Sequence, residues 1–231
     1  MIMLMAKPLR AEQRESKVDI RGPEPRWPAV AAALAVGMLH YAMPAALTYG
    51  PDWLTLVLVA VLLIPTTITH RLGWRHMNEI FAYGFLGVIT LALLSSVVLL
   101  VLSLPSHAVK PLDLLRAAAA LWGSNILVFA SWYWRLDGGG PNERDLRGVH
   151  SDGAFLFPQM VLPLDLRVQM GEDKWSPGFV DYLFLAFNTS TAFSPTDVPV
   201  LSRWAKAMMI VQSMISLTTV VLLAARAVNV I

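Results

Sequence analysis

The residues best suited to chemistry in this chain follow an aromatic segment near the C-terminal end. The stretch from Asp181 to Asp197 reads DYLFLAFNTSTAFSPTD, so it passes into hydroxyl-bearing residues, breaks at Ser194-Pro195 and closes on an acid. Hydroxyl and carbonyl oxygens can replace part of a cation's hydration shell, and acids at a mouth concentrate cations. The predicted chemistry is therefore cation coordination. Seven residues are assigned as filter-like: Thr189, Ser190, Thr191, Ser194, Pro195, Thr196 and Asp197.

The sequence carries no constellation typical of an enzyme. We find no paired carboxylates, no nucleophile with an adjacent base and no phosphate-binding loop. The chain contains no cysteine, which excludes disulfides and thiolate metal sites. The loop histidines are scattered without metal-ligand spacing. We therefore predict that the protein is not an enzyme and that it holds no cofactor and no metal.

The composition predicts an integral membrane protein. Of the 231 residues, 56% are hydrophobic and 15% are charged, whereas soluble domains carry about 25% charged residues. The apolar residues form runs long enough to cross a bilayer, which takes about 20 residues of helix. The net charge of +2 is too small to indicate nucleic-acid binding. The lipid bilayer is the expected partner.

The apolar runs predict an all-α fold with about five transmembrane helices and a re-entrant helix with its return loop before the last one. Residues 1–27 are expected to be a mobile cytoplasmic tail. A three-helix N-terminal unit is expected over 28–104, with helices at 28–47, 53–69 and 80–104. A pore-module-like unit is expected over 112–231. Its parts are an outer helix 112–134, a loop 136–175, a re-entrant helix 177–193, a filter-like loop 194–199 and an inner helix 202–229.

The basic residues predict the topology. If 177–197 enters the membrane and returns, five helices cross and 15 of the 18 basic residues share one face. If that segment spans fully, six helices cross and 14 share one face. Both arrangements place the N-terminus in the cytoplasm by the positive-inside rule. The apolar part, 179–193, is only about 22 Å long as a helix, which favours the re-entrant interpretation with its loop on the cytoplasmic side.

Polar residues also lie at helical spacing on the last apolar segment. Gln212, Ser216 and Thr219 share one face of that helix. They would line a wet path if the helix surrounded a pore. Alternatively, they hold helices together, because small polar residues are enriched at membrane helix contacts. The sequence leaves both interpretations open.

Three further polar residues fall inside apolar segments. His40 is ionisable and is therefore a functional candidate, although a neighbouring helix can equally satisfy a neutral imidazole. Asn125 predicts an interhelical hydrogen bond, and Asp181 suits the positive end of a helix N-terminus. After the aromatic run WYW, Arg135 and Asp137 are expected to pair with the long loop and hold it over the pore mouth.

The run from STAFSPTD through SRWAK into a long final helix is similar to the pore module of tetrameric potassium channels. In that family a pore helix leads into a T-V-G-Y-G-D filter and then an inner helix. Thr191 and Asp197 stand at the flanks of that motif, but Ser194 and Thr196 replace its glycines and Pro195 replaces its tyrosine. Side chains resist the backbone angles that those glycines adopt, and proline fixes its own φ. The resemblance implies a pore-like layout with a filter of a non-potassium type.

A second resemblance covers roughly the last hundred residues. The blocks WYWRLDGGGP at 132–141, FLFPQ at 155–159 and DYLFLAFNTSTAFSPTD through AARAVN look like those of a family of bacterial inner-membrane proteins of unknown function. The resemblance implies location in the bacterial inner membrane and a helix-rich N-terminal half. It implies no particular activity.

These observations lead to three functional hypotheses. The first is an oligomeric, cation-permeable pore, with a homotetramer favoured, a monovalent cation as permeant ion and residues 189–197 of each chain forming the filter. The second is a small secondary transporter or proton-coupled carrier that uses His40, Asn125 and Asp181 as a relay. The third is a non-conducting accessory membrane protein.

Overall fold

The computed structural model describes residues 24–51, 53–103, 110–147, 150, 153–192 and 197–228, with side chains as far as Ala225. This part of the chain is helical, and its only β-structure is an isolated antiparallel bridge between Phe155 and Val200. Its α-helices are α1 Trp27–Tyr41, α2 Trp53–Arg71, α3 Arg75–Ser103, α4 Pro111–Leu136, α5 Pro141–Arg147, α6 Pro158–Val161, α7 Leu164–Gln169, α8 Phe179–Thr191 and α9 Arg203–Val228.

Four helices among the described residues are long and apolar enough to cross a membrane, namely α2, α3, α4 and α9. The prediction of an all-α protein with membrane-type helices is therefore confirmed at this level. Helix α1 is apolar but shorter, with 15 residues. Its predicted extent of 28–47 is divided, because α1 ends at Tyr41 and a 3-10 turn follows at Ala45–Leu47. Pro44, which precedes this turn, has no N–H to donate and so interrupts the helix.

The predicted loop 136–175 contains the short helices α5, α6 and α7. The other predicted helix boundaries are close to the observed ones, with one larger difference. Helix α3 begins at Arg75 rather than at residue 80, so the loop between α2 and α3 is much shorter than expected. Asn78 in this first turn is buried and bonded to the carbonyl of Thr66 at 2.7 Å. This tertiary contact stabilises a turn whose polar composition suggested a loop. Residues 104, 193 and 229, which the predicted helix ends include, lie outside the described residues.

Helices α1 to α4 form a ring in which each packs on the next and α1 closes on α4. Small residues bring α1 close to its neighbours, since Ala32, Ala33 and Gly37 are all buried. A Cβ added at Gly37 would lie 3.1 Å from Leu56 Cδ1. Small residues at such contacts let membrane helices approach closely and gain van der Waals packing.

Helix α4 is central because α8 and α9 pack on it in addition to α1 and α3. More than half of its 26 residues are buried. It ends at a glycine turn in which Gly138, Gly139 and Gly140 all have positive φ. A Cβ at Gly140 would lie 2.6 Å from the carbonyl oxygen of Arg135, so glycine is required there. These glycines form the tight turn that follows α4.

Helices α8 and α9 both begin at the end of the bundle where α4 finishes. The ring of Phe155 lies against Tyr182 near the start of α8, Trp204 at the start of α9 and Tyr133 near the end of α4. Eight residues further along each helix, Gln212 Nε2 donates to Ser190 Oγ at 2.8 Å. The two helices therefore run parallel to each other, and both run antiparallel to α4.

The segment between these parallel helices has to lead back to the end at which α8 began. Helix α8 is about 20 Å long, and an extended chain gains about 3.3 Å per residue, so residues 192–202 are long enough for the return. At the end of this segment, Leu156 N donates to Pro199 O at 3.0 Å and Leu201 N to Ala154 O at 2.8 Å. These bonds fix the start of α9 against the loop that follows α4.

Candidate functional site

The contact of α4, α8 and α9 is centred on the side chain of Gln212. Its Nε2 donates to Ser190 Oγ at 2.8 Å and to the carbonyl of Ala186 at 2.7 Å. Its Oε1 accepts the hydroxyl hydrogen of Tyr133 at 2.6 Å. Gln212 and Tyr133 are fully buried. One side chain thus joins all three helices through hydrogen bonds.

Asn125 on α4 completes this contact. Its Nδ2 donates to the Gln212 carbonyl at 3.0 Å and to Ser216 Oγ at 2.8 Å, which confirms the predicted interhelical hydrogen bond. Its Oδ1 has no hydrogen-bond partner among the described residues. Thr219, one turn further along α9, donates to the carbonyl of Ile215 at 3.0 Å.

The three residues predicted to line a pore are therefore fully buried in the single chain, and two of them are bonded to other helices. A wet path along Gln212, Ser216 and Thr219 would require α4 and α9 to separate. Such a path concerns an assembled protein and stays a prediction.

Four of the filter-like residues are described: Thr189, Ser190 and Thr191 lie at the far end of α8, and Asp197 lies before α9. Thr189 is buried and donates to the carbonyl of Leu185 at 2.8 Å, whereas Thr191 is exposed and donates to the carbonyl of Phe187 at 2.9 Å. Asp197 is exposed. Of the remaining residues, Ser190 belongs to the Gln212 contact, and Ser194, Pro195 and Thr196 lie outside the described residues.

The polar residues proposed as a relay are not brought together. Asp181 lies in the first turn of α8, where its Oδ2 accepts the N–H of Gly178 at 2.7 Å, as expected of an acid that caps a helix. His40 is buried near the opposite end of α1, about 20 Å from its start at Trp27. Glu24, just before α1, is close enough to Asp181 for the two carboxylates to repel each other. Asp181 therefore lies near the start of α1, whereas His40 lies near its end. The two residues are thus near opposite ends of the bundle.

Asp137 holds the long loop to the end of α4, as the sequence predicts. Its carboxylate is fully buried and accepts hydrogen bonds from the N–H of Ala154 and, at 2.7 Å, from the hydroxyl of Tyr182. The Nε2 of His150 lies 3.2 Å from the same carboxylate. One acid therefore ties α4, α8 and the intervening loop together.

A second part of this polar cluster was not predicted. Arg144 on α5 is buried and donates to the carbonyls of Trp134 at 2.9 Å and of Asp137 at 2.7 Å. A cation is favoured at a helix C-terminus, where these carbonyls are otherwise unpaired. Arg144 also pairs with Glu24 at 3.0 Å. In the sequence, the polar run PNERD after three glycines is typical of a solvated turn, so the sequence does not indicate that Arg144 is buried.

Residues 24–26 belong to the expected mobile tail, but they are bonded to the polar cluster around Asp137 and Arg144. Glu24 N donates to Asp145 Oδ1 at 3.0 Å, and Arg26 pairs with the same carboxylate. Burial lowers the pKa of the Arg26 guanidinium, and the Asp145 and Glu24 carboxylates oppose this shift. Residues 1–23 of the expected tail lie outside the described residues.

Arg135 contacts α3 rather than pairing with an acid of the long loop. Its guanidinium donates to the side-chain oxygen of Asn78 at 3.1 Å and to the Asn78 carbonyl at 3.2 Å. It also lies 5.6 Å from the centre of the Tyr83 ring. The long loop reaches this site through Asn142, whose Nδ2 donates to the same Asn78 oxygen at 3.1 Å.

Comparison of the chain with protein-family models, with curated proteins and with solved structures finds no match.

Proposed function

We propose that the protein is an oligomeric, cation-permeable membrane protein of the bacterial inner membrane. In this proposal α8 and the return segment after it form a re-entrant hairpin that enters from the cytoplasmic face. Residues 189–197 of each chain then form a filter of a non-potassium type. Helices α2, α3, α4 and α9 cross the bilayer, and α1 crosses it together with the segment that follows it up to the 3-10 turn at Ala45–Leu47.

The observation that carries this proposal is the parallel course of α8 and α9 from one end of α4. A helix that spanned the bilayer would deliver the next helix to the opposite side. Helix α8 has 13 residues, or about 20 Å, against about 30 Å for the hydrocarbon core. A helix of this length that is followed by a parallel neighbour is the layout expected of a re-entrant element. Protein surrounds its buried face, as backbone at membrane depth requires.

The electrostatics of the far end of α8 favour a cation. A helix C-terminus carries partial negative charge from its unpaired carbonyls. The hydroxyl of Thr191 is exposed in this last turn, and the acid of Asp197 is exposed on the return segment. Hydroxyl, carbonyl and carboxylate oxygens are the ligands that cation filters use.

An oligomer is a necessary part of the proposal, because one hairpin cannot enclose a pore. Exposed apolar side chains on α8 and α9 provide a surface that lipid or a second copy would cover. These side chains are Val180, Phe184, Phe187, Ile210, Val211, Met214, Leu217 and Val221. A tetramer is favoured because the pore module that the sequence resembles is tetrameric.

Side-specific labelling of single cysteines tests the hairpin, since the chain has no cysteine of its own. Asp173→Cys precedes α8, Leu201→Cys precedes α9 and Tyr49→Cys lies between α1 and α2; all three positions are exposed. In oriented membrane vesicles, a membrane-impermeant maleimide should label Asp173→Cys and Leu201→Cys from one side and Tyr49→Cys from the other. Labelling of the first two from opposite sides would mean that α8 spans.

Recording from purified protein in planar bilayers tests permeation. Thr191→Ala and Asp197→Asn should change the ion preference or the conductance. Matched controls are Thr218→Ala, a helical threonine that bonds its own helix in the same way, and Asp173→Asn, an exposed loop acid. An effect of the controls equal to that of the filter variants, or a monomeric mass in nanodiscs, would refute the pore.

One observation favours a second candidate, a non-conducting accessory membrane protein. The polar face of α9 is fully buried in the single chain, and Gln212 and Ser216 on this face are hydrogen-bonded to α4 and α8. This arrangement holds the helices together. A protein of this kind would give no conductance in the same bilayer recordings. It would also bind a partner protein through the exposed apolar faces of α8 and α9.

A further inference from the structure

A cavity opens between α1, α2, α3 and α4 at the end of the bundle where α4 finishes. Its volume is about 110 Å³, and its walls are mainly apolar. Ala29 and Ala33 of α1, Leu63 of α2 and Phe85 and Leu86 of α3 form much of the lining. The small alanines leave the space that larger side chains would fill. The cavity therefore accepts an apolar chain rather than a polar solute.

A second, polar chamber of about 190 Å³ adjoins the first at the same end of the bundle. The two share His70, Asn78 and Asn142 in their linings. The polar chamber adds Arg75, at the start of α3, and Asp145. Together the two chambers form one amphipathic cleft, with an apolar part inside the helix ring and a polar part at its end.

Each of the two parts has one arginine that no carboxylate of the described residues pairs with, Arg135 in the apolar part and Arg75 in the polar part. Asp145 is neutralised by its ion pair with Arg26. Arg135 is buried in the lining of the apolar part, where it donates to Asn78, a residue that both parts share. It forms no ion pair with a carboxylate of the described residues, although Glu79 attracts it from farther away. Arg75 is exposed at the mouth and likewise has no ion pair within the described part of the chain. Two cations thus remain for an anion.

We propose that this cleft is a binding site for one anionic phospholipid of the surrounding leaflet. A short segment of one acyl chain occupies the apolar part, and the phosphate lies between Arg135 of the apolar part and Arg75 of the polar part. Basic pockets between transmembrane helices on the cytoplasmic side suit anionic head groups, and the basic residues predict that this end of the bundle is cytoplasmic. A free phosphate would satisfy the charge but leave the apolar walls empty. The proposal is independent of the pore, since neither α8 nor α9 contributes to the cleft.

Filling the apolar part with a larger side chain tests whether a lipid chain binds there. In Ala29→Phe the new ring occupies the cavity, whereas in Ala31→Phe, on the same turn of α1, it projects from an exposed position outside the lining. The full chain is titrated in detergent with dioleoyl phosphatidylglycerol, and bound lipid is counted by native mass spectrometry. We expect one saturable lipid per chain in the parent and in Ala31→Phe, and none in Ala29→Phe. Equal binding by both variants would overturn the site.

The charge is tested on exposed residues that leave the fold intact. Arg75→Gln removes the cation at the mouth, and Arg71→Gln makes the same change four residues earlier, outside the cleft. Arg75→Gln should weaken phosphatidylglycerol binding about fivefold, the effect of one basic group near an anionic lipid surface, and Arg71→Gln should leave it unchanged. Equal weakening by both would indicate nonspecific surface attraction and overturn the assignment.

Two further probes identify the ligand. Dioleoyl phosphatidylcholine has the same chains without net charge and should bind much more weakly than phosphatidylglycerol. Sodium phosphate, tested as a competitor, should not displace the lipid at concentrations far above those of the lipid. Equal affinity for both lipids would overturn the role of Arg135 and Arg75. Displacement by phosphate alone would mean that the site takes a free anion instead of a lipid.

Discussion

Replacing Gln212 by leucine tests which of two interpretations of the polar face of α9 is correct: a closed contact between helices or a water-filled path. The amide side chain makes three hydrogen bonds, with Tyr133, Ser190 and Ala186. Interhelical hydrogen bonds in membrane proteins average about 0.6 kcal/mol, so the three bonds amount to about 2 kcal/mol. The buried Tyr133 hydroxyl also loses its acceptor, which adds about 1 kcal/mol. We therefore expect Gln212→Leu to lower the free energy of unfolding by about 3 kcal/mol.

The measurement is equilibrium unfolding in mixed micelles by increasing mole fraction of dodecyl sulfate, followed by circular dichroism. Thr218→Val on the same helix is the control, because its hydroxyl bonds only the Met214 carbonyl of its own helix, at 2.9 Å. It should change the free energy of unfolding by less than about 0.5 kcal/mol. Adding Tyr133→Phe to Gln212→Leu should recover about 1 kcal/mol, since no buried hydroxyl then lacks an acceptor.

A small effect of Gln212→Leu would refute this reasoning. If the variant unfolds like the parent and its effect adds to that of Tyr133→Phe, the side chain is solvated in the assembled protein. That result would support the prediction that Gln212, Ser216 and Thr219 line a wet path. A large, coupled loss means that α4 and α9 stay closed, so that any ion path lies elsewhere.

Three other substitutions test the end of the bundle by the same unfolding measurement. Asp137→Ala removes the buried carboxylate that joins α4, α8 and the loop and should cost about 3 kcal/mol, whereas Asp113→Ala, in a half-exposed ion pair, should cost less than about 0.5 kcal/mol. Gly140→Ala forces a Cβ against a backbone carbonyl at positive φ and should cost about 3 kcal/mol or more; its control Gly84→Ala, in open space on α3, should be neutral or stabilising. Phe155→Ala loses ring contacts to three aromatic neighbours and should cost about 3–5 kcal/mol. Losses in Asp137→Ala or Gly140→Ala equal to those of their controls, or a loss below about 1 kcal/mol in Phe155→Ala, would contradict these assignments.

The helices themselves could be predicted because their signals are local. Runs of apolar residues mark α2, α3, α4 and α9, and prolines mark the first turns of α1 and α4. The interhelical role of Asn125 was also predictable, because an amide inside an apolar helix has few other ways to be satisfied. Polar residues in apolar surroundings are thus informative even without their partners.

The polar cluster at the end of α4 was only partly predictable, because its partners are far apart in sequence. Arg144 meets Glu24 across 120 residues, and Arg135 meets Asn78 across 57. Each of these residues, taken alone, fits a solvated loop or a helix end. The role of Asp137 could be anticipated because this residue lies three positions after the aromatic run WYW and precedes the loop that it holds. The cleft inside the ring of α1 to α4 had no signal in the sequence, because its lining comes mainly from four helices whose residues are far apart along the chain.

The two proposals meet at α4 but can fail separately. Tyr133 points from α4 toward α9 and bonds Gln212, whereas Arg135 lies in the lining of the cleft toward α3. Ala29 and Arg75, whose variants test the lipid site, line the cleft, and no residue of α8 or α9 is in that lining. Loss of lipid binding in Ala29→Phe with unchanged conductance would therefore leave the pore proposal standing. A silent bilayer recording with one lipid still bound per chain would instead reject the pore and keep the lipid site.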